Sequence, residues 1–316
     1  MVYNPCAVAV YAVYKPLGAT SHDVVEVARR ALGTKKVGHT GTLDPLATGV
    51  LLLATGSHTK LVPFLTGEEK EYIAWISFGA TTPTLDAEGP LEPRAPWQPD
   101  EAELRRAMAE FLEVEEQVPP AYSAVKVGGV KAYEAARRGE ELELEPRPAA
   151  YYQVELLELL EAPKPLRIAP KAGGWRTAAR GRLVELPPPL APLPTAVIRL
   201  VVGSGTYVRA FARDLGEKLG TGAFLSGLVR TRVGRVDLEK TVAAEGLKTT
   251  EPLAPADVLP FPVVELAHAE VRRVLEGVPL PIPARGLVAL TDKSGRLVAV
   301  AEGDGFKLKV RKVFKT

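Results

Sequence analysis

The chain has 316 residues, 46% of them hydrophobic and 25% charged, with a net charge of +2. That balance is ordinary for a soluble globular protein with room for about two domains, and no apolar run approaches the ~18 residues of a membrane helix. The single cysteine, Cys6, excludes an internal disulfide and a cysteine-based zinc site, and His22, His39, His58 and His268 fall in no metal-ligating spacing.

The N-terminus lacks the basic start and cleavage site of a signal peptide, so a cytoplasmic location is expected. Asn4 is the sole asparagine, and Gln98, Gln117 and Gln153 are the only glutamines. Scarce amides are one mark of a protein that works hot.

In chain order, residues 8–14 alternate and are rich in Val and Tyr, which predicts a strand. Thr20-Ser21-His22-Asp23 is a capping-box start for a helix through Leu32, which Gly33 ends. A glycine-rich loop spans residues 38–49, and the apolar run 50–54 after it predicts a buried strand. Residues 70–78 alternate as another strand. Residues 99–111 predict an amphipathic helix, and 133–138 a short one closed by Gly139.

Residues 162–195 are dense in Pro and basic residues, and read as an insertion or long hairpin loop on the surface. Residues 196–202 predict a strand and 206–219 a helix. Residues 252–262 look like a linker. Beyond it, 287–290, 297–301 and 307–313 predict short strands of a compact C-terminal unit. Strands and helices do not alternate regularly, which disfavours a doubly wound parallel sheet. Neither GxGxxG nor a P-loop occurs, so nucleotide cofactors have no support.

Charge is unevenly spread. Residues 209–240 are mostly basic, with Arg213, Lys218, Arg230, Arg232 and Arg235, and residues 307–315 alternate basic and apolar. Acidic residues gather in 101–116 and 134–145. Such segregation leaves room for a basic face on a nearly neutral protein, with a set of solvated surface charges as the alternative.

The loop GHTGTLDPLATG holds one carboxylate, Asp44, among Gly38, Gly41 and Gly49, with Pro45 after it. An isolated Asp-Pro is usually a turn whose Asp bonds its own backbone. Here the context says more. Residues 38–53, GHTGTLDPLATGVLLL, closely resemble the signature loop of the TruB family of tRNA pseudouridine synthases. Tyr14-Lys15-Pro16-Leu17-Gly18-Ala19-Thr20-Ser21 resembles the family's N-terminal motif. Lys70-Glu71-Tyr72, the turn 84–89, the segment 119–126, GSGTYVR at 203–209 and residues 225–230 follow in the family's order. The resemblance spans about residues 11–238.

The resemblance implies an α+β fold: a mixed, largely antiparallel sheet flanked by helices. It also implies a catalytic domain over 1–251, with the Pro-rich insertion at about 162–195, and a small β-rich, PUA-like RNA-binding unit over 261–316. It implies isomerisation of uridine 55 in the TΨC stem-loop of tRNA, with no cofactor, metal or obligatory protein partner; a monomer is the default expectation. Asp44 is then the catalytic carboxylate beside C1′, where breaking the glycosidic bond builds positive charge. Attack at C1′, addition to the base and removal of a 2′ proton all remain open.

A carboxylate in a desolvated pocket needs a nearby cation, and the family places Arg209 there. Tyr72 resembles the tyrosine that stacks on the uracil and helps remove the C5 proton. Tyr207 and Leu228 resemble pocket-lining residues. His39 resembles the histidine that fills the place of the flipped base. Lys15 and Lys126 lie, by resemblance, along the binding cleft. The pattern departs at Tyr14, where Asp or Asn is usual, and at Val229, where the family often has arginine. Two rivals are a guide-RNA-dependent uridine isomerase and a non-catalytic tRNA-folding protein.

Overall fold

A computed structural model describes residues 9–314 apart from Ala124, Glu141 and Pro189, and describes Lys126, Val127 and Lys131 by backbone only. The N-terminal strand, β1, covers Val10–Lys15. Helix α1 (Ser21–Leu32) starts on Thr20, whose side chain accepts from Asp23 N–H while the Asp23 carboxylate caps the Thr20 N–H in return. It stops at Gly33, which takes the left-handed conformation (φ 64°) that costs glycine least. Strands β2 (Val37–His39) and β3 (Ala47–Thr55) flank the glycine-rich loop. Strand β4 is Lys70–Phe78 and helix α2 is Glu101–Ala109. Then come β5 (Tyr151–Leu160), β6 (Leu166–Lys171), β7 (Gly174–Thr177), β8 (Arg182–Val184), β9 (Thr195–Val202), α3 (Val208–Lys218) and β10 (Ala223–Val233).

The main sheet runs β1-β3-β10-β4-β9-β5, with β2 on β3. Only the β10–β3 pair is parallel along that path, so the sheet is mixed and largely antiparallel. Strand β4 is buried at every position because both its faces are covered. Tyr72, Ala74, Ile76 and Phe78 join a core with Leu104 and Met108 of α2 and Phe211 and Leu215 of α3. Ile73 and Trp75 face the opposite core.

That opposite core holds two corrections. Residues 162–195 are not a surface loop: β6, β7 and β8 form a three-stranded sheet. Its Ile168, Trp175 and Val184 bury against Trp75 and Val197 of the main sheet. Its apolar residues, Leu166, Ile168, Trp175, Leu183, Val184 and Leu186 among them, are interrupted by prolines, glycines and charges, which hid the strand pattern. The sheet is also pinned electrostatically. Arg199 of β9 makes a two-point ion pair with Glu71 of β4 (Nε–Oε1 and Nη2–Oε2 both 3.1 Å), and Trp175 N–H donates to the same carboxylate at 2.8 Å. Burial pushes the Glu71 carboxyl up, but these hydrogen bonds outweigh it and hold it below its ordinary value.

Trp175→Ala is therefore expected to destabilise the protein by about 3–5 kcal/mol in denaturant unfolding. A surface loop would give less than about 0.5 kcal/mol, and that result would return the segment to its sequence reading.

The expected linker is likewise packed: Val258 and Leu259 are buried, and Leu253 N–H donates to Val10 O at 2.9 Å. Strand β11 (Val263–Glu265), helix α4 (His268–Leu275) and strands β12 (Arg285–Thr291), β13 (Leu297–Asp304) and β14 (Leu308–Val313) follow. They make a four-stranded sheet in the order β11-β12-β13-β14. Val274 of α4 clusters with Val288 and Leu290 of β12, while Ala289 and Val300 of the sheet and Phe314 after it join the back-face core of the main sheet. Among the described residues no helix is long and apolar enough to cross a membrane.

Candidate active site

The loop between β2 and β3 is held from several directions. Leu43 N–H donates to Ser21 Oγ at 2.8 Å, and that hydroxyl donates to Leu43 O at 3.0 Å, tying the loop to the start of α1. Gly18 N–H donates to Pro45 O at 2.8 Å, and Ala47 N–H closes the turn on Asp44 O at 3.0 Å. Asp44 thus projects from a turn with little freedom. Leu43 and Leu46 on either side are buried in the same core as Tyr72 of β4 and Leu228 of β10. The structure brings Asp44's neighbours, Tyr72 and Leu228 to one face of the sheet.

Arg209 joins them from the first turn of α3. Its Nε lies 2.9 Å from Asp44 Oδ2 and 3.7 Å from Asp86 Oδ2. Nη1 and Nη2 donate to Thr84 O at 3.0 Å and Tyr122 O at 2.9 Å. The exposures differ in a useful way: the Arg209 side chain is 8% exposed and that of Asp44 36%. The cation is fixed inside the wall while the carboxylate faces outward.

Asp86 was not singled out in the sequence, although its turn was. It is almost fully buried, accepts from Thr84 Oγ1 at 2.6 Å and from Glu88 N–H at 3.0 Å, and burial pushes its carboxyl above the ordinary range. The neighbouring Leu85 has φ 62°, a strained backbone for leucine. No local pattern reveals that Arg209 lies opposite, because the two are far apart in sequence.

Tyr207 is the residue before α3, half-buried, with its N–H donating to the Gln117 side chain. His39 is half-buried at the end of β2. Its Nδ1 is buried with no hydrogen-bond partner among the described residues. Burial, then the Arg230 guanidinium, pushes its imidazole below the ordinary value, which favours the neutral ring. The Lys126 side chain lies outside the described residues.

Lys15 differs from expectation. It is fully buried, and its Nζ donates to the carbonyls of Ala19, Pro16 and Pro45. It braces the loop from beneath and does not reach a cleft surface. Burial lowers its ammonium to about 8 against the opposing pull of Asp44. Lys70 is lowered to about 8 by burial as well.

A folded value below the ordinary 10.5 means that between pH 8 and 10.5 the unfolded chain binds the proton more strongly. The contribution of Lys15 to stability is therefore complete above 10.5 and lost as pH falls through 8. Urea unfolding of Lys15→Met is expected to show a smaller stability gain from pH 8 to 10 than the unaltered protein. Identical gains would remove Lys15 from this account.

The basic run 209–240 does not form one face. Arg209 and Arg230 are buried, Arg213 pairs with Asp214 at 2.7 Å, Lys218 with Glu110 at 2.5 Å, and Arg232 with Glu69 at 2.7 Å. Likewise Arg176 of the segment 162–195 pairs with Glu155 at 2.7 Å. Linear charge counts hid these partners.

The family model described as TruB family pseudouridylate synthase (N terminal domain) matches residues 29–174. The chain is 68% identical to tRNA pseudouridine synthase B of Thermus thermophilus, over 97% of this chain and 98% of that one. It is 48% identical to tRNA pseudouridine synthase B of Deinococcus radiodurans, over 95% and 98%. Its fold resembles that in the crystal structure of a Cbf5-Nop10-Gar1 complex, with a TM-score of 0.66 at 24% identity, covering 98% of this chain and 86% of that one.

Proposed function

The chain belongs to the TruB family of pseudouridylate synthases, and from that premise we propose that it isomerises uridine 55 in the TΨC loop of tRNA to pseudouridine, with Asp44 as the catalytic carboxylate. The observation that carries the assignment is the Asp44–Arg209 contact of 2.9 Å, a partly exposed carboxylate on a buried cation, beside a wall that contains Tyr72 and Leu228.

The reaction conserves atoms and electrons. The N1–C1′ bond breaks and its electrons stay with uracil. The base turns, a C5–C1′ bond forms, C5 loses a proton and N1 gains one. Positive charge grows on the sugar as the bond breaks, and a carboxylate fixed beside C1′ stabilises it or bonds to it. Arg209, with its Nε 2.9 Å from Asp44 Oδ2, aims that carboxylate.

The detached base must be held. Stacking on an aromatic ring contributes about 1–3 kcal/mol, and Tyr72 is the ring on the right face; it also assists removal of the C5 proton. Leu228 and Tyr207 close the pocket. Flipping the uridine out of its stack costs a few kcal/mol. His39, with a neutral ring at the end of β2, fills the place that the base leaves.

Lys126 lies along the path of the RNA. Residues 1–251 form the catalytic domain and 261–316 a PUA-like RNA-binding unit. The enzyme works in the cytoplasm as a monomer on bare tRNA.

The test is incubation of purified protein with an unmodified tRNA transcript, followed by carbodiimide treatment and primer extension. A single stop at uridine 55 is expected. Tight binding without modification would overturn the reading, and modification only after a guide RNA is added would favour the guide-dependent alternative.

A further inference from the structure

Arg230 is a large cation in the wrong place for a surface residue. It lies in β10, 2% exposed, beside the loop that carries Asp44. Its guanidinium spends its donors on main-chain carbonyls: Nε to Val50 O at 2.7 Å, Nη2 to Gly41 O at 3.0 Å and Nη1 to Thr42 O at 3.4 Å. Gly41 and Thr42 enter the Asp44 turn, and Val50 follows its exit. One planar group therefore ties the two arms of the loop together.

The main chain of Arg230 is seated on the same loop. It registers with Gly49 across the parallel β10–β3 pair. Gly49 has φ +110°, and a Cβ there would lie 2.2 Å from the Arg230 carbonyl oxygen. Only a glycine permits this approach.

The arrangement is electrostatically costly. Among the described residues the buried guanidinium is served by neutral carbonyls alone, which recover part of its lost hydration. Lys15, Lys70 and His39 stand near it, and each has its proton affinity lowered in part by Arg230. An apolar side chain of similar volume would fill the space without that repulsion, and such replacements are often stabilising. A fork that spans three carbonyls is what the apolar side chain lacks.

We propose that Arg230 is a positioning residue for the isomerisation: Arg209 aims the Asp44 side chain, and Arg230 fixes the main chain from which it projects. The inference rests on the catalytic reading of Asp44. Lysine keeps the charge but is a single point on a flexible stem, so it cannot bridge both arms.

The test compares Arg230→Lys and Arg230→Met with Trp175→Ala, which destabilises the back face of the sheet, opposite the face that carries Tyr72 and Leu228. On an unmodified tRNA transcript, kcat of Arg230→Lys is expected to fall about a hundredfold, the scale of a small misplacement of a reacting group. The KM and Kd for tRNA should stay within about twofold. Trp175→Ala should lose stability but keep kcat. Amide hydrogen exchange gives a readout independent of activity. The amides of Leu43 and Ala47, bonded to Ser21 Oγ and Asp44 O, should exchange faster in both Arg230 variants while those of α1 do not change. Unchanged kcat in Arg230→Lys, an equal kcat loss in Trp175→Ala, or unchanged exchange at Leu43 and Ala47 would each overturn the proposal. An unaltered protein that leaves tRNA unmodified would instead sink the functional reading, and the exchange data would still decide whether Arg230 holds the loop.

Discussion

Asp44→Asn is expected to abolish pseudouridine formation while leaving the protein folded and able to bind tRNA. Asparagine has nearly the shape of aspartate but no charge to offer a developing oxocarbenium and no nucleophilic oxygen anion. Loss of a group at the reacting bond typically costs about 10⁴-fold or more in rate. Stability should hardly move. The Asp44 side chain is one-third exposed, so its ion pair is screened and contributes under about 1 kcal/mol. Arg209 also keeps Asp86 and the carbonyls of Thr84 and Tyr122. Single-turnover assays beside thermal unfolding and tRNA binding make the comparison. A residual rate within about tenfold of the unaltered protein would remove Asp44 from the chemistry. Lost binding would mean that the substitution acts on the substrate complex instead.

Arg209→Met is expected to damage both stability and activity, for separable reasons. The side chain is buried and serves two carboxylates, one of which, Asp86, is nearly inaccessible to water. Breaking a buried pair by removing one partner costs about 3–5 kcal/mol, since the other charge is left behind. The pH dependence follows from the direction of the Asp86 shift. Burial already raises that carboxyl, and without Arg209 it rises further. A raised folded value means that stability is present at low pH, where the group is neutral in both states. It is lost as pH rises through the folded value. The destabilisation by Arg209→Met should therefore be larger at pH 7 than at pH 5.

Adding Asp86→Asn removes the orphaned charge. The double variant should recover part of the stability, with a coupling of about 1–3 kcal/mol, while activity stays low because Asp44 still lacks its cation. Simple additivity of the two losses would show that Arg209 and Asp86 do not act as a pair.

The legible parts of the fold were local. Thr20 and Asp23 start α1 and Gly33 ends it, as their side-chain chemistry dictates. Residues 70–78 and the apolar run before Gly56 are strands at nearly the expected bounds. Asp44, Tyr72, Leu228 and Arg209 were legible through resemblance, and the structure gathers them on one face. The misread parts share one cause. Residues 162–195 pack through Ile168, Trp175, Val184 and Leu186, whose spacing is broken by prolines, glycines and charges and so did not announce a sheet. Lys15 and Arg230 look like surface cations until the carbonyls they serve are known.

By itself, then, the amino-acid sequence determined the family, the helix caps, the main strands and the identity of the loop carboxylate, because each depends on residues close together in the chain or on a motif met in order. The tertiary structure alone decided which charges are partners. Arg209 meets Asp86, and Arg230 meets Gly41 and Thr42, only because β10 runs parallel beside β3 and α3 packs over the same face. Burial makes those contacts strong, and strand register, which no local pattern encodes, sets which side chains make them.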